Sequence, residues 1–418
     1  MNTLVQAIRF LGLIDLQLLF KLLFVLAAVP FVAVGQQQTD TVKSYQYTVP
    51  EKTNDGWETA HLSTENIDAE LVNDLFNRVI DQTYKNIHSV LIIRNGRLVV
   101  EEYFPGGGSS GQYHAFKRDT LHGLNSVTKS IGSILIGIAI DQHLISGVEQ
   151  NISSFFPEYS DIFADSAKPK IRLSDCLSMT AGLEWNEWNH PYTDSRNDHI
   201  MMNRSNDPVR YVLERPVVET PGTKFVYNSG ISITMGQIIY KVSGLRADRF
   251  AGRYLFAPLG ISEYSWWKYP NGVLQTGGGL SLRPRDMAKI GSLFLNGGRW
   301  QGKQIVSEEW VQESTKQRAP DRDYGYPWWA PAFLRHITYD PPTDHNEYGY
   351  QWWVNTFHVR GRDVAAYSAQ GRGGQFIFVV PKFQMVAVFT GWNDNSSWDQ
   401  PFYMMEQYIL PAVVSGGY

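Results

Sequence analysis

Ser126 and Lys129 lie three residues apart, at the point where a polar stretch of the sequence becomes a long apolar run. The run that ends at Ile140 predicts a buried helix of about four turns, beginning at Asn125 or Ser126. Residues three apart share a helix face, so the serine hydroxyl and the lysine amine can meet. A serine beside a lysine at a helix N-terminus, where backbone N–H groups favour an anion, is the core of one kind of acyl-transfer site.

The same spacing occurs a second time, at Ser265 and Lys268, in an aromatic-rich segment that reads as extended. Side chains at positions i and i+3 of a strand point to opposite faces of the sheet. Only the first pair therefore has a usable geometry. Taken alone, Ser126 is equally compatible with a helix cap beside a solvated lysine.

Two other segments could complete such a site. Tyr227 precedes a predicted helix and is followed by Asn228 and Ser229. It could relay protons if burial beside a cationic lysine made its phenolate accessible, and the alternative is ordinary core packing. The segment 369–374 precedes an inner strand and contains three glycines, so its backbone can approach a ligand and supply oxyanion donors. Its alternative is a glycine-rich turn.

The composition of the chain limits the kinds of molecule that it could bind. The chain has 418 residues and a net charge of −4, and no Lys/Arg-rich run suggests a nucleic-acid partner. Cys176 is the only cysteine, which excludes an intramolecular disulfide or a thiolate metal cluster. We expect no cofactor and no metal. Four aspartates in the stretch 317–347 could bind a calcium ion, but the pattern favours a solvated acidic loop. They are Asp321, Asp323, Asp340 and Asp344.

The N-terminus predicts export. Lys21 precedes an apolar block from Leu22 to Gly35, with small residues before an abruptly polar stretch. This pattern favours a cleaved signal peptide over residues 1–35, which would place the protein in the periplasm or outside the cell. The alternative is an uncleaved anchor from Phe10 to Gly35, the one case in which we expect membrane attachment.

Strand patterns lie at the two ends of the body and helical patterns lie between them. A hairpin is predicted over residues 89–104 with its turn at Asn95-Gly96. Further strands are predicted at 348–354, 365–368, 375–380 and 384–390, and helices at 126–142, 173–181, 207–214, 229–243, 283–295 and 309–316. This order predicts an α+β fold, an antiparallel sheet flanked by helices. The expected division is an arm over 36–84 and a domain over 85–418, with a mainly helical subdomain near 130–265 and a site-rimming loop at 317–347.

The combined motifs resemble a known family. Ser126-Val-Thr-Lys129, Tyr227-Asn-Ser229 and the glycine-containing strand turn occur in the order seen in the serine β-lactamase-related hydrolases. These comprise class C β-lactamases, D-Ala-D-Ala carboxypeptidases, esterases and aminohexanoate-dimer hydrolases, and the chain looks closest to the last branch together with the esterases. Further stretches agree, at 177–183, 278–288, 296–302 and 373–381. The resemblance covers about residues 85–415 and implies a β-lactamase/transpeptidase-like fold.

The resemblance also implies roles for particular residues. Ser126 would be the nucleophile, Lys129 its base and Tyr227 the proton relay to the leaving group, while the backbone N–H groups of Ser126 and Arg372 would form the oxyanion hole. Two positions depart from the β-lactamase pattern: Ser229 stands where asparagine is usual, and Ala369-Gln370-Gly371 replaces Lys-Thr-Gly or His-x-Gly. We expect the substrate to contact Ser229, Trp185, Trp188, Gln370 and Gly371.

Three functions follow as hypotheses. The first is an exported serine hydrolase that cleaves a small ester or uncharged amide through an acyl-enzyme, because the third motif lacks a cation for a substrate carboxylate. The second is a penicillin-binding protein, D-Ala-D-Ala peptidase or β-lactamase on the same scaffold. The third is a catalytically silent binding protein that keeps the fold.

Overall fold

The computed structural model describes residues 44–108, 111–164, 168–319, 346–393 and 398–415. The predicted signal segment, the four aspartates considered for calcium and nearly all of the predicted loop at 317–347 lie outside these residues. From Tyr45 onwards the chain forms one compact unit.

A twisted sheet forms the centre of this unit. In the described part of the chain it has eight strands, in the order β1-β3-β2-β15-β14-β13-β12-β11. Their bounds are β1 Glu58–Thr59, β2 Ile87–Arg94, β3 Arg97–Tyr103, β11 Asn346–Tyr348, β12 Trp353–Val359, β13 Arg362–Gly371, β14 Gln375–Val380 and β15 Met385–Gly391. All neighbours are antiparallel except β1 and β3, so the sheet is mixed. The shorter strands are β4 Pro105–Gly107, β5 Tyr113–Ala115, β6 His122–Gly123, β7 Ser265–Trp266, β8 Leu280–Leu282, β9 Arg299–Trp300 and β10 Lys303–Gln304.

The hairpin that the sequence predicted is confirmed. Strands β2 and β3 pair through a turn in which Asn95 and Gly96 have φ of 49° and 78°. Both central residues of this tight turn need a positive φ, which explains the Asn-Gly pair. Strands β2, β14 and β15 are buried along their whole length, because helices cover both faces of the sheet.

The helices are, in chain order, α1 Ala69–Ile80, α2 Val127–Asp141, α3 Leu173–Leu177, α4 Asp198–Arg204, α5 Pro208–Leu213, α6 Ser229–Ser243, α7 Ala247–Ala251, α8 Pro284–Leu295, α9 Glu308–Ser314, α10 Gln400–Met404 and α11 Leu410–Ser415. Helix α8 packs on β14 and β15, and α2 packs on α6 in the same core cluster. Cys176 in α3 is buried and unpaired, as predicted for a small apolar residue. Within the described residues, no helix is long and apolar enough to cross a bilayer.

The structure differs from the predicted boundary at residue 85. Strand β1 pairs with β3, and Trp57 is 2% exposed and donates from its indole to the Arg285 carbonyl oxygen at 3.3 Å. Helix α1 packs against the C-terminal helices on the outer face of the sheet. Residues 45–84 therefore belong to the compact unit. The segment lacks hydrophobic periodicity at its start, because its contacts are made by a few long side chains and by one short parallel pairing.

The strand predicted at 348–354 is interrupted. β11 ends at Tyr348 and β12 begins at Trp353, and between them Gln351 has a φ of 61°. The side-chain amide of Gln351 donates to the carbonyl oxygens of Cys176 and Leu177 at 3.3 and 3.0 Å and accepts from the Ser232 hydroxyl at 2.7 Å. These contacts with α3 and α6 hold a turn where the aromatic pattern indicated a continuous strand.

Candidate active site

The Ser126 and Lys129 side chains meet as the sequence predicted. Ser126 is the N-cap residue of α2, and its side chain makes no capping hydrogen bond. The Lys129 amine, one turn on, donates to the Ser126 hydroxyl at 2.9 Å and to the Gly277 carbonyl oxygen at 2.6 Å. The second serine–lysine pair does not share this geometry, since Ser265 lies in strand β7 as expected.

Burial prepares Lys129 to act as a base. Its side chain is 2% exposed, and the loss of water around the ammonium lowers its pKa to about 8, while the negative charge of Glu187 acts in the opposite direction. A lysine with this pKa is neutral in a usable fraction of molecules near pH 7 to 8. Lys129 can therefore accept the Ser126 proton.

Tyr227 lies beside Ser126 and Lys129. Its ring centroid is 4.9 Å from the Lys129 nitrogen, and its phenol lies near the Ser126 side chain. Burial and the charge of Glu187 raise the pKa of Tyr227 well above its usual value. This raised pKa does not favour the accessible phenolate that was considered from the sequence, because the loss of water around the ring outweighs the opposite effect of the Ser126 side chain. A neutral phenol can still pass a proton between Ser126 or Lys129 and a leaving group.

The glycine-containing turn approaches the nucleophile closely. A Cβ on Gly371 would lie 2.3 Å from the Leu124 carbonyl oxygen and 3.2 Å from the Ser126 backbone nitrogen. The side-chain amide of Asn125 donates to the carbonyl oxygen of Arg372 at 2.7 Å, and Asn125 itself has a φ of 48°. The backbones of residues 126 and 371–372 thus run side by side, which suits a pair of N–H donors for one oxyanion.

Glu187 is a member of the site that the sequence did not reveal. It is 2% exposed and accepts hydrogen bonds from the Trp185 indole at 2.8 Å and the Tyr192 hydroxyl at 2.9 Å. Ser229 donates to it twice, from its backbone nitrogen at 2.8 Å and from its hydroxyl at 2.7 Å. His199, Lys129 and the Ser229 donors hold the pKa of this carboxyl below its usual value despite burial.

The predicted substrate contacts separate into two groups. Trp188 stands at the site, since its ring stacks on Tyr227 with centroids 4.4 Å apart. Trp185 is instead packed in the core beside Gly230, 5% exposed, and Ser229 faces Glu187. The Gln370 side-chain amide donates to the Ser368 hydroxyl at 2.9 Å. At Gly371 it is the backbone that lies close to Leu124 and Ser126.

A cation stands one residue beyond the altered third motif. The exposed Arg372 side chain places its guanidinium 5.1 Å from the centroid of the Tyr192 ring. Its charge also acts on Tyr192 and on His199. Among the described residues, no group of three or more His, Cys, Asp and Glu side chains could hold a metal ion.

A helix-flanked sheet with Ser126, Lys129 and Tyr227 in contact defines the class of protein. A sequence profile of the Beta-lactamase family matches residues 76–398. The chain belongs to this family, which confirms the resemblance and the α+β, β-lactamase/transpeptidase-like fold.

Relatives place the chain on the serine β-lactamase-related branch. The 6-aminohexanoate-dimer hydrolase of Paenarthrobacter ureafaciens is 26% identical over 263 residues, which are 57% of this chain and 63% of that protein. The chain thus spans less than two thirds of that relative.

Solved structures agree on the fold. A family VIII carboxylesterase superposes with a TM-score of 0.61 at 15% identity, covering 87% of this chain and 100% of that one. A penicillin-binding protein homologue from Caulobacter crescentus gives a TM-score of 0.61 at 17% identity, covering 83% and 97%. At this identity the likeness shows the fold alone.

Proposed function

We propose that the protein is an exported serine hydrolase that cleaves a small ester or amide through an acyl-enzyme on Ser126. The observation that carries the proposal is the 2.9 Å hydrogen bond from the buried Lys129 amine to the Ser126 hydroxyl. The family membership of the chain supports hydrolysis, and one of its relatives is named a 6-aminohexanoate-dimer hydrolase. Export rests on the apolar N-terminal segment.

The reaction has two halves. Neutral Lys129 takes the Ser126 proton as the serine oxygen attacks the substrate carbonyl carbon, and the backbone N–H groups of Ser126 and Arg372 bind the resulting oxyanion. The intermediate collapses to an acyl-serine ester, and the departing alcohol or amine receives the proton through Tyr227. Water then attacks the acyl carbon and its proton passes to Lys129. As the bond to the serine oxygen breaks and the acid is released, Lys129 returns this proton to Ser126, which restores the hydroxyl and the neutral amine.

Activity on a chromogenic panel tests this proposal. We expect the purified protein to hydrolyse short nitrophenyl esters or an aminohexanoate anilide, with nitrocefin turned over poorly. The turnover rate of the matched Ser126→Ala protein should be at least about a thousandfold lower than that of the wild type. A folded Ser126→Ala protein with wild-type turnover would refute the acyl-enzyme. Complete inertness of the wild-type protein would favour a silent binding protein.

A substrate that carries a carboxylate is a second candidate, favoured by one observation. The guanidinium of Arg372 lies beside Tyr192, close to the turn where the family's third motif usually supplies a cation. A guanidinium binds a carboxylate well, which would suit a peptide C-terminus or a β-lactam. Stoichiometric labelling of Ser126 by a fluorescent penicillin would favour this candidate, and no labelling would count against it.

A further inference from the structure

Glu187 is a buried carboxylate whose two oxygens are both held by one residue. The backbone nitrogen of Ser229 donates to Oε2 at 2.8 Å, and the Ser229 hydroxyl donates to Oε1 at 2.7 Å. Trp185 and Tyr192 add a third and a fourth donor. Ser229 is also the first residue of α6, so the positive end of that helix faces the carboxylate. This environment keeps Glu187 ionised and fixed.

A short chain of contacts joins this carboxylate to Lys129. The Lys129 amine donates to the Gly277 carbonyl oxygen at 2.6 Å. Gly277 packs directly on Ser229, since a Cβ at residue 277 would lie 2.8 Å from the Ser229 carbonyl oxygen and 3.5 Å from its Cβ. Ser229 in turn holds Glu187. The two opposite charges thus lie on either side of Gly277 and Ser229, in a region with little solvent to screen them.

We propose that Glu187 is a positioning residue of the catalytic site, a fixed negative charge clamped by Ser229 that stabilises the ammonium form of Lys129. The inference rests on the proposed function, in which Lys129 is the base. Without this countercharge, burial would lower the pKa of Lys129 further and favour its neutral amine still more. With it, a larger fraction of Lys129 keeps its proton at a given pH.

The proposal also accounts for the altered second motif. The serine at residue 229 uses its backbone nitrogen and its hydroxyl together, and so contacts both oxygens of one carboxylate. Glu187 and Ser229 therefore form one unit, and we expect a substitution at either residue to act on Lys129.

Several other titratable or charged groups face this carboxylate, and their titration must be distinguished from that of Lys129. They are His199 in α4, with its Nδ1 3.9 Å from Oε1, Tyr192, Tyr227 and Tyr269, and Arg372 through its charge on His199 and Tyr192. Burial lowers the pKa of His199 below its usual value, and burial raises the pKa values of the three tyrosines. Lys129 is therefore the group in this set that we expect to titrate near pH 8.

The pH profile of Glu187→Gln tests the proposal. We measure kcat/KM for a neutral nitrophenyl ester between pH 5.5 and 10, reading nitrophenol at its isosbestic wavelength. Loss of the negative charge removes the interaction that favours the ammonium form of Lys129. The acid limb of the profile, in which kcat/KM rises with pH, should therefore move to lower pH than in the wild type. The ratio of kcat/KM at pH 6.5 to that at pH 9 should rise at least about threefold.

Asp198→Asn is the matched control. Asp198 is also buried, but it accepts from the Asn186 backbone nitrogen and the Tyr211 hydroxyl, both at 2.7 Å, and neither Ser229 nor Lys129 is one of these donors. It should leave the midpoint of the acid limb in place even if it lowers the rate. An equal shift in both variants would overturn the proposal, because it would indicate general disturbance of the site.

Ser229→Ala keeps the proposal falsifiable if Glu187→Gln does not fold. This change removes one donor to the carboxylate and leaves the charge, so the negative field at Lys129 becomes stronger. The acid limb should then move to higher pH, opposite to the shift for Glu187→Gln. An unchanged limb in either folded variant contradicts the inference. If Ser126→Ala keeps full activity, the proposed function itself fails, whatever these profiles show.

Discussion

The side-chain amide of Asn125 donates to the carbonyl oxygen of Arg372 at 2.7 Å. This bond ties the residue before Ser126 to the turn whose backbone N–H we propose as the second oxyanion donor. These residues are 247 positions apart in the chain. The contact crosses from the start of α2 to the end of β13 and fixes the spacing of the two backbones. Its loss should therefore reduce the rate more than it reduces substrate affinity.

Asn125→Gly is the variant that isolates this hydrogen bond. Asn125 has a φ of 48°, and glycine adopts this conformation without strain. We expect kcat to fall by about tenfold to a hundredfold with a smaller change in KM, because a donor displaced by a fraction of an ångström stabilises the oxyanion less. Asn271→Ala is the control, since it removes a similar side-chain bond to a backbone carbonyl at an exposed turn. An equal fall in kcat for the two variants would contradict the role of the Asn125–Arg372 hydrogen bond in positioning the oxyanion donors.

Gly371→Ala should be still more damaging. The new methyl group would lie 2.3 Å from the Leu124 carbonyl oxygen, and backbone atoms cannot move aside without separating β13 from the start of α2. We expect a loss of at least about a hundredfold in kcat/KM for any substrate of the enzyme. Gly123→Ala provides the control, because its nearest neighbour, the Ser281 hydroxyl, is 4.0 Å away. Near-wild-type activity of a folded Gly371→Ala protein would rule out the close backbone pairing.

The activity of the wild-type protein should rise with pH through the titration of Lys129. The base is active only when neutral, and burial lowers the pKa of Lys129 to about 8. In the free enzyme, kcat/KM should therefore increase about tenfold per pH unit below this value and level off above it. A profile that is already flat between pH 6 and 7 would mean that Lys129 is not the base.

Stability should depend strongly on a buried ion pair that fastens residues 51–55 to the body. Arg285 is 3% exposed and makes two hydrogen bonds to Glu101, at 2.6 and 2.7 Å, and one to Asp55 at 2.9 Å. Arg285→Ala leaves the Glu101 carboxylate buried with one partner fewer, so the free energy of unfolding in urea should fall by about 3–5 kcal/mol. Lys52→Ala breaks an exposed pair and should have little effect. A negligible loss for Arg285→Ala would contradict a structural role for this pair.

Local sequence signals predicted the elements that carry the chemistry. The Asn95-Gly96 turn and the apolar run after Ser126 each depend on residues close together in sequence, so the hairpin and helix α2 could be inferred without a structure. The helix predicted at 229–243 is likewise confirmed as α6. The Ser126–Lys129 contact followed from helix spacing alone.

The features that the sequence did not predict depend on contacts between residues far apart in the chain. Glu187 lies between Trp185 and Trp188, which were predicted to contact the substrate, but nothing near it in sequence indicates that Ser229 holds its carboxylate. The break at Gln351 depends on partners in α3 and α6. The phenol of Tyr227 stays neutral because of its burial, which no local pattern reveals.

The most direct test of the account is to identify the residue that becomes acylated. The purified protein is mixed with a nitrophenyl ester, quenched in acid within the first turnovers, digested and analysed by mass spectrometry. We predict one acyl group, on Ser126, in the wild-type protein, and none in Ser126→Ala. Steady turnover with no acylated peptide, or acylation of a different residue in an active Ser126→Ala protein, would contradict the central claim.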